Sequence, residues 1–162
     1  MRNQILESDF NAAVLEIKDF LFQMARDCKQ RGWSFHATSE APESYKDLKA
    51  MTKDKCIPIA DYGSDSSIYG KEINTLFRFY HDVTHLENDW SFNQESETLT
   101  AEKHRQDGIE YGLSSLALQI LWVDTFGQVQ YYFRNKRFVN NQLDFVWMCL
   151  QVGINKACSI EV

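Results

Sequence analysis

Residues 71–112, KEINTLFRFYHDVTHLENDWSFNQESETLTAEKHRQDGIEYG, decide both the fold class and the candidate chemistry of this chain. Ile73, Leu76, Phe77, Tyr80 and Thr84 recur at helical spacing. They form one side of an α-helix running from about Lys71 to roughly Glu87. Asn88 to Asn93 break the period. A second helix is expected from Asn93 or Gln94. It places Glu95 and Glu97 in its first turns, where acids suit the positive end of the helix dipole.

The same period extends outward. Upstream, Phe10, Val14, Ile17, Leu21, Met24 and Cys28 alternate steps of four and three. That pattern gives a helix with one buried face, with Asp9 placed to cap its start and Gly32 to end it. Downstream, Gly108 and Gly112 interrupt the pattern, and a strongly apolar helix is expected from about Leu113 into Tyr132. A turn follows at Asn135 to Val139. Asn140 or Asn141 then caps a last helix carrying Leu143, Phe145, Val146, Met148, Cys149 and Val152.

Residues 33–68 lack this regularity. Trp33 to His36 read as extended, a short polar helix runs from about Glu43 to Lys53, and Asp61 to Ser67 carry loop residues. Cys56 to Ala60 read as a short strand or an extended segment, and Pro58 keeps them off any central strand. A short hairpin is one arrangement open to this region. The expected fold is mainly α: a single helical metal-binding domain over 1–162, a bundle of about five helices with an irregular segment at 33–68.

Composition bounds the function. A chain of 162 residues that is 44% hydrophobic is long and apolar enough to bury a core rather than stay disordered. A net charge of -6 argues against binding to nucleic acid or an anionic membrane. Arg134, Lys136 and Arg137 are a local exception, read as a solvated turn. No apolar run approaches the ~20 residues of a membrane span, and MRNQILESDF lacks the apolar core of a signal peptide. A cytosolic protein is therefore expected. The four cysteines form no CxxC pair and read as small buried hydrophobes in a reducing compartment.

The chemistry concentrates between 78 and 104. His81 and His85 are spaced i, i+4, which sets both imidazoles on one helix face, near enough to share an ion. Asp82 lies about 100° round the helix, placed to flank that ion. Glu97 and His104 are seven residues apart on the next helix, nearly two turns. An antiparallel turn at 88–93 would aim them at His81 and His85. Such mixed nitrogen and oxygen ligands suit Zn, Fe, Mn or Ni rather than Mg or Ca. Asp82 or Glu95 would serve as general base, and Arg78 would attract an anionic group. A second group is Asp124 with Gln128, again i, i+4, inside an apolar helix. A carboxylate there needs a partner, either Arg78 or the metal.

Two resemblances follow from these residues. The His81-Asp82 doublet resembles the signature of the HD superfamily of metal-dependent phosphohydrolases. That resemblance implies an all-helical fold, with His36 and Asp124 as further ligands. The run YGSDSSIYGKEINTLFRFYHDVTHLENDWSFNQESE, with the later VDTFGQVQYY and NNQLDFV, resembles a group of uncharacterised phage and prophage proteins. It puts weight on Ser64, Asp65, Tyr69, Arg78, His81, Asp82, His85 and Glu97, and implies a phage origin.

The expected activity is hydrolysis of a phosphorylated or nucleotide-like small molecule. His81, His85, Glu97 and His104 would hold a divalent metal. Asp82, Arg78 and Asp124 would take catalytic roles, and Asp65, Tyr69 and Gln128 would line the substrate pocket. The rival expectation is a non-catalytic phage accessory protein that binds a host protein and carries a structural metal. A di-iron bundle would want Glu-x-x-His pairs on two helices, and the chain has none.

Overall fold

The apolar stripe of the first helix becomes the spine of the molecule. Helix α1 (Glu7–Gln30) buries Phe10, Ala13, Val14, Ile17, Phe20, Leu21, Ala25 and Cys28. A computed structural model describes residues 5–160. After α1 come β1 (Ser34–Thr38), α2 (Tyr45–Met51), β2 (Cys56–Ala60), α3 (Lys71–Asn88) and α4 (Gln94–Tyr111). Helix α5 is one rod in three parts: Ser115–Trp122, a π-helical turn at Val123–Gly127, and Gln128–Asn135. Helices α6 (Gln142–Val152) and α7 (Ile154–Ala157) complete the described chain.

The fold is mainly α, with seven helices among the described residues rather than about five. Two short helices lie beyond the five long ones: α2, the polar helix expected at about Glu43 to Lys53, and α7, which was not expected. Helix α2 forms because the Ser44 hydroxyl accepts the Asp47 backbone N–H as an N-cap. The last helix stops at Gly153, whose φ of 87° breaks the ladder, and one further turn restarts at Ile154 as α7. No helix among the described residues is long and apolar enough to cross a membrane.

Residues 33–68 form a strand–helix–strand unit, not a hairpin. Strands β1 and β2 run parallel, in register from Ser34 opposite Cys56 to Thr38 opposite Ala60. Parallel strands need a crossover, and α2 supplies it. Pro58 is tolerated because both strands are edges. Ile57 and Ile59 enter the core beneath them.

Two boundary readings change. Leu6, not Asp9, precedes the first turn of α1, and it makes no side-chain cap bond. Asp9 instead lies inside that turn, where its charge meets the helix dipole. Gly108 does not interrupt α4; it lets the helix approach α5. A Cβ there would lie 2.9 Å from Leu113 Cδ1 and 3.1 Å from Leu118 Cδ2. Gly112, with φ 96°, ends the helix.

Helix α3 is central. It packs against α1, β2 and α4. Its buried residues run down to His85, so its lower end delivers an imidazole into the interior.

Candidate metal centre

Local chain chemistry places each candidate ligand. Helix α3 ends where Asp89 adopts a left-handed conformation, φ 52°. The chain doubles back there, and Trp90 N–H donates to the His85 carbonyl at 3.0 Å. The Trp90 carbonyl in turn lies 2.9 Å from His85 Nδ1. Asn93 caps α4 by accepting the Ser96 N–H. That cap fixes the first turn, with Glu97 just inside it.

The result is a convergence of lone pairs. His85 Nε2 lies 3.0 Å from His81 Nε2. Glu97 Oε2 lies 3.4 Å from His81 Nε2 and 3.5 Å from His85 Nε2. The Trp90 carbonyl can only accept, so His85 Nδ1 carries the proton and the neutral ring presents a bare Nε2. Two ring nitrogens and a carboxylate oxygen at these separations need a hydrogen or a metal ion between them. His81, His85 and Glu97 offer ligand atoms all within 4.8 Å of one another, so this group can hold a metal ion.

The surroundings are dry on one side and open on the other. His85 is fully buried, its ring edge-on to Phe92 at 4.9 Å between centroids. The His81 side chain remains 31% exposed and that of Glu97 18%, so a solvent molecule can reach the cluster from their edge. Burial works against charge on His81, but the hydrogen bond and attraction of Glu97 prevail and raise its pKa. Burial likewise opposes ionisation of Glu97, yet hydrogen bonds from both histidines hold it well below the usual carboxylate range. Burial lifts Asp82 to about 6, against the attraction of His81 and His85. Asp82 thus flanks the cluster without joining the converging group.

His104 stands behind the ligands. Its Nε2 lies 3.1 Å from His81 Nδ1, the ring nitrogen facing away from the convergence. Lys103 and Arg105 flank it in sequence, but His104 is 1% exposed in mid-α4. Burial, and then the charges of His81 and His85, depress its pKa well below the ordinary value, so it stays neutral. Tyr80 packs on its ring at 4.3 Å. The Tyr80 hydroxyl donates to Asp107, which also pairs with Lys103 at the wall of a cleft of about 460 Å³.

The other expected residues lie elsewhere. Arg78 Nη1 donates to the carbonyls of Ala60 and Tyr62, and Nη2 donates to that of Gly63. The guanidinium therefore pins the loop after β2. Asp65 is exposed on that loop. Glu95 is exposed on the outer face of α4, in a shallow groove with Gln94, Thr98, Leu99 and Glu102. His36 is exposed on β1, with Cys56 Sγ 3.5 Å from its Nδ1.

Asp124 is buried at the π-helical turn, where Gln128 Nε2 donates to it at 2.8 Å. The buried Tyr69 hydroxyl faces it without a well-formed hydrogen bond. Burial raises the Asp124 carboxyl to about 6, against the pull of Tyr69 and Gln128. Arg78 is not its partner, and neither Asp124 nor His36 belongs to the histidine–glutamate group.

The Trp90 carbonyl and the Tyr80–Asp107 pair were not foreseen. A backbone carbonyl has no signature in sequence. Asp107, one helical turn beyond His104, was a legible neighbour.

Comparisons with family models, curated proteins and solved structures return no match for this chain.

Proposed function

We propose that the chain is a metal-dependent hydrolase acting on a phosphorylated or nucleotide-like small molecule. One observation carries this reading: three ligand atoms converge within 4.8 Å, at an edge where His81 is still 31% exposed. The nitrogen and oxygen donors favour Zn, Fe, Mn or Ni. A divalent ion with three protein ligands and an open position activates water near neutral pH. His81, His85 and Glu97 would hold that ion, and the packing of His85 against Phe92 would keep its buried side dry. An acid directly after the first histidine of an i, i+4 pair is where helical zinc hydrolases carry their general base. Asp82 occupies that place, and a carboxyl near 6 is suited to accept a proton at neutral pH. The phosphoester class is supported by the resemblance of the His81-Asp82 doublet to HD phosphohydrolases.

The test is turnover by metal-loaded protein across a panel of phosphoesters and nucleotides, wild type beside Asp82→Asn. The variant should keep its metal and lose roughly 10²- to 10⁴-fold in rate. Stoichiometric metal with no cleavage anywhere in the panel would count against the hydrolase.

A second reading is a non-catalytic accessory protein that binds a host protein and carries a structural ion. Leu15 and Phe22, two turns apart on α1, are 60% and 58% exposed, and Phe138 is 71% exposed. Exposed aromatics of this kind anchor protein interfaces. Chelation separates the readings: a structural ion contributes folding free energy, so its removal melts the domain. A hydrolase would leave a folded, inactive apoprotein.

A further inference from the structure

The two histidines of the centre are oriented from behind by different groups. His85 Nδ1 faces a backbone carbonyl, which fixes its tautomer outright. His81 Nδ1 faces another imidazole, the Nε2 of His104, at 3.1 Å. This contact has two possible polarities. If His104 donated, neutral His81 would carry its proton on Nε2 and present no lone pair to an ion. If His81 donates, its Nε2 is bare and aimed at Glu97 and His85. His104 must then keep its own proton on Nδ1. That atom is buried and has no hydrogen-bond partner among the described residues. His104 Nδ1 is unpaired in either polarity, so the direction is decided at His81, where only a bare Nε2 can serve an ion.

We infer that His104 is a positioning residue rather than a metal ligand: its Nε2 accepts the Nδ1 proton of His81 and thereby turns the His81 Nε2 lone pair toward the ion. This inference rests on the metal centre proposed above. Tyr80, packed on the His104 ring at 4.3 Å with a 44° tilt and anchored to Asp107, restricts that ring. The partner's chemistry also matters. A carboxylate behind a ligating histidine raises the ligand's basicity. A neutral imidazole does so less, which leaves the bound ion more electron-poor and a stronger Lewis acid.

The experiment is titration with Co²⁺ alone, read by the visible ligand-field bands, for wild type, His104→Gln and His104→Leu. The glutamine carbonyl retains an acceptor, whereas leucine fills the space without one. His104→Leu should weaken Co²⁺ binding roughly 10- to 100-fold and shift the bands, while His104→Gln stays within a few-fold of wild type. Leucine binding as tightly as wild type, or glutamine as weak as leucine, would overturn the role. Wild-type protein that takes up no Co²⁺ would overturn the centre itself. Should His104→Leu fail to fold, ¹⁵N shifts of the zinc-loaded wild type decide the matter. A protonated Nδ1 and a bare Nε2 on His104 are expected, and the reverse refutes the inference.

Discussion

Two buried polar clusters lie in this bundle, and they solve the same problem in opposite ways. At the α3–α4 end, His81, His85 and Glu97 point acceptors at one another. At the π-helical turn of α5, Asp124 receives the Gln128 amide and faces the Tyr69 hydroxyl. Asp124 has its own donor in Gln128, and burial lifts its carboxyl to about 6, so below that pH it holds a proton as well. The histidine cluster can also take a proton, because, against burial, Glu97 raises the His81 pKa. Its glutamate stays ionised, however, and its three ligand atoms lie close enough to hold a metal ion instead. A buried polar group with its own donors needs no ligand, whereas converging acceptors can take one. The same contrast explains the difference in exposure. Asp124 is 6% exposed, while His81 opens to solvent.

The largest expected effect tests that contrast directly. Wild type should carry about one divalent ion per chain by elemental analysis, after purification without chelator. His81→Ala/His85→Ala should carry none, and Asp124→Asn should carry as much as wild type. Metal lost in Asp124→Asn would merge the two clusters into one site. Metal absent from wild type would reduce the histidine cluster to an imidazolium–carboxylate pair.

How much of this was legible beforehand depended on the length of the pattern. Helices α1 and α3 were readable because each repeats its apolar period over 24 and 18 residues. The i, i+4 spacing of His81 and His85 and the return of Glu97 on the next helix were equally readable, since both rest on helical geometry. Strands β1 and β2 were not, because five residues each cannot declare a direction of pairing. The burial of His104 was not legible from its charged neighbours, because adjacent residues on a helix point about 100° apart. Lys103 and Arg105 thus said nothing about the side chain between them. Gly108 was misread for a related reason: its role comes from Leu113 and Leu118, which only the packed structure brings beside it. Arg78 and Asp124 looked like partners because each needed one. The arginine found loop carbonyls and the aspartate found an amide one turn away.

A smaller effect sharpens the comparison from the Asp124 side. Its carboxyl rises from 3.8 to about 6 on folding. Between those values the folded chain retains a proton that the unfolded chain has released. Stability from this group is thus present below about pH 4 and lost as pH rises through 6. The full shift of about two units is worth about 3 kcal/mol. Asp124→Asn removes the charge but leaves an amide carbonyl for Gln128. The variant should therefore match wild type in urea unfolding near pH 4 and exceed it by about 2 kcal/mol at pH 7.5. Equal stabilities at both pH values would show that Asp124 titrates normally and that Gln128 and Tyr69 solvate its charge.

The finest distinction concerns how the chain holds Glu97. Asn93 and Asn141 are both N-caps, accepting N–H groups of Ser96 and Asp144 at 2.8 and 3.1 Å. Replacing either with alanine should cost about 1 kcal/mol of stability, because each leaves a helix-start donor unsatisfied. Only the first cap lies one turn from a candidate ligand. Fraying the start of α4 loosens Glu97 relative to His81 and His85, whereas fraying α6 touches no member of the cluster. Asn93→Ala should then weaken metal binding by a few-fold in the same titration, with Asn141→Ala indistinguishable from wild type. Equal losses of affinity in both would mean that metal binding tracks overall stability, and that Glu97 is not a ligand whose placement depends on the start of α4.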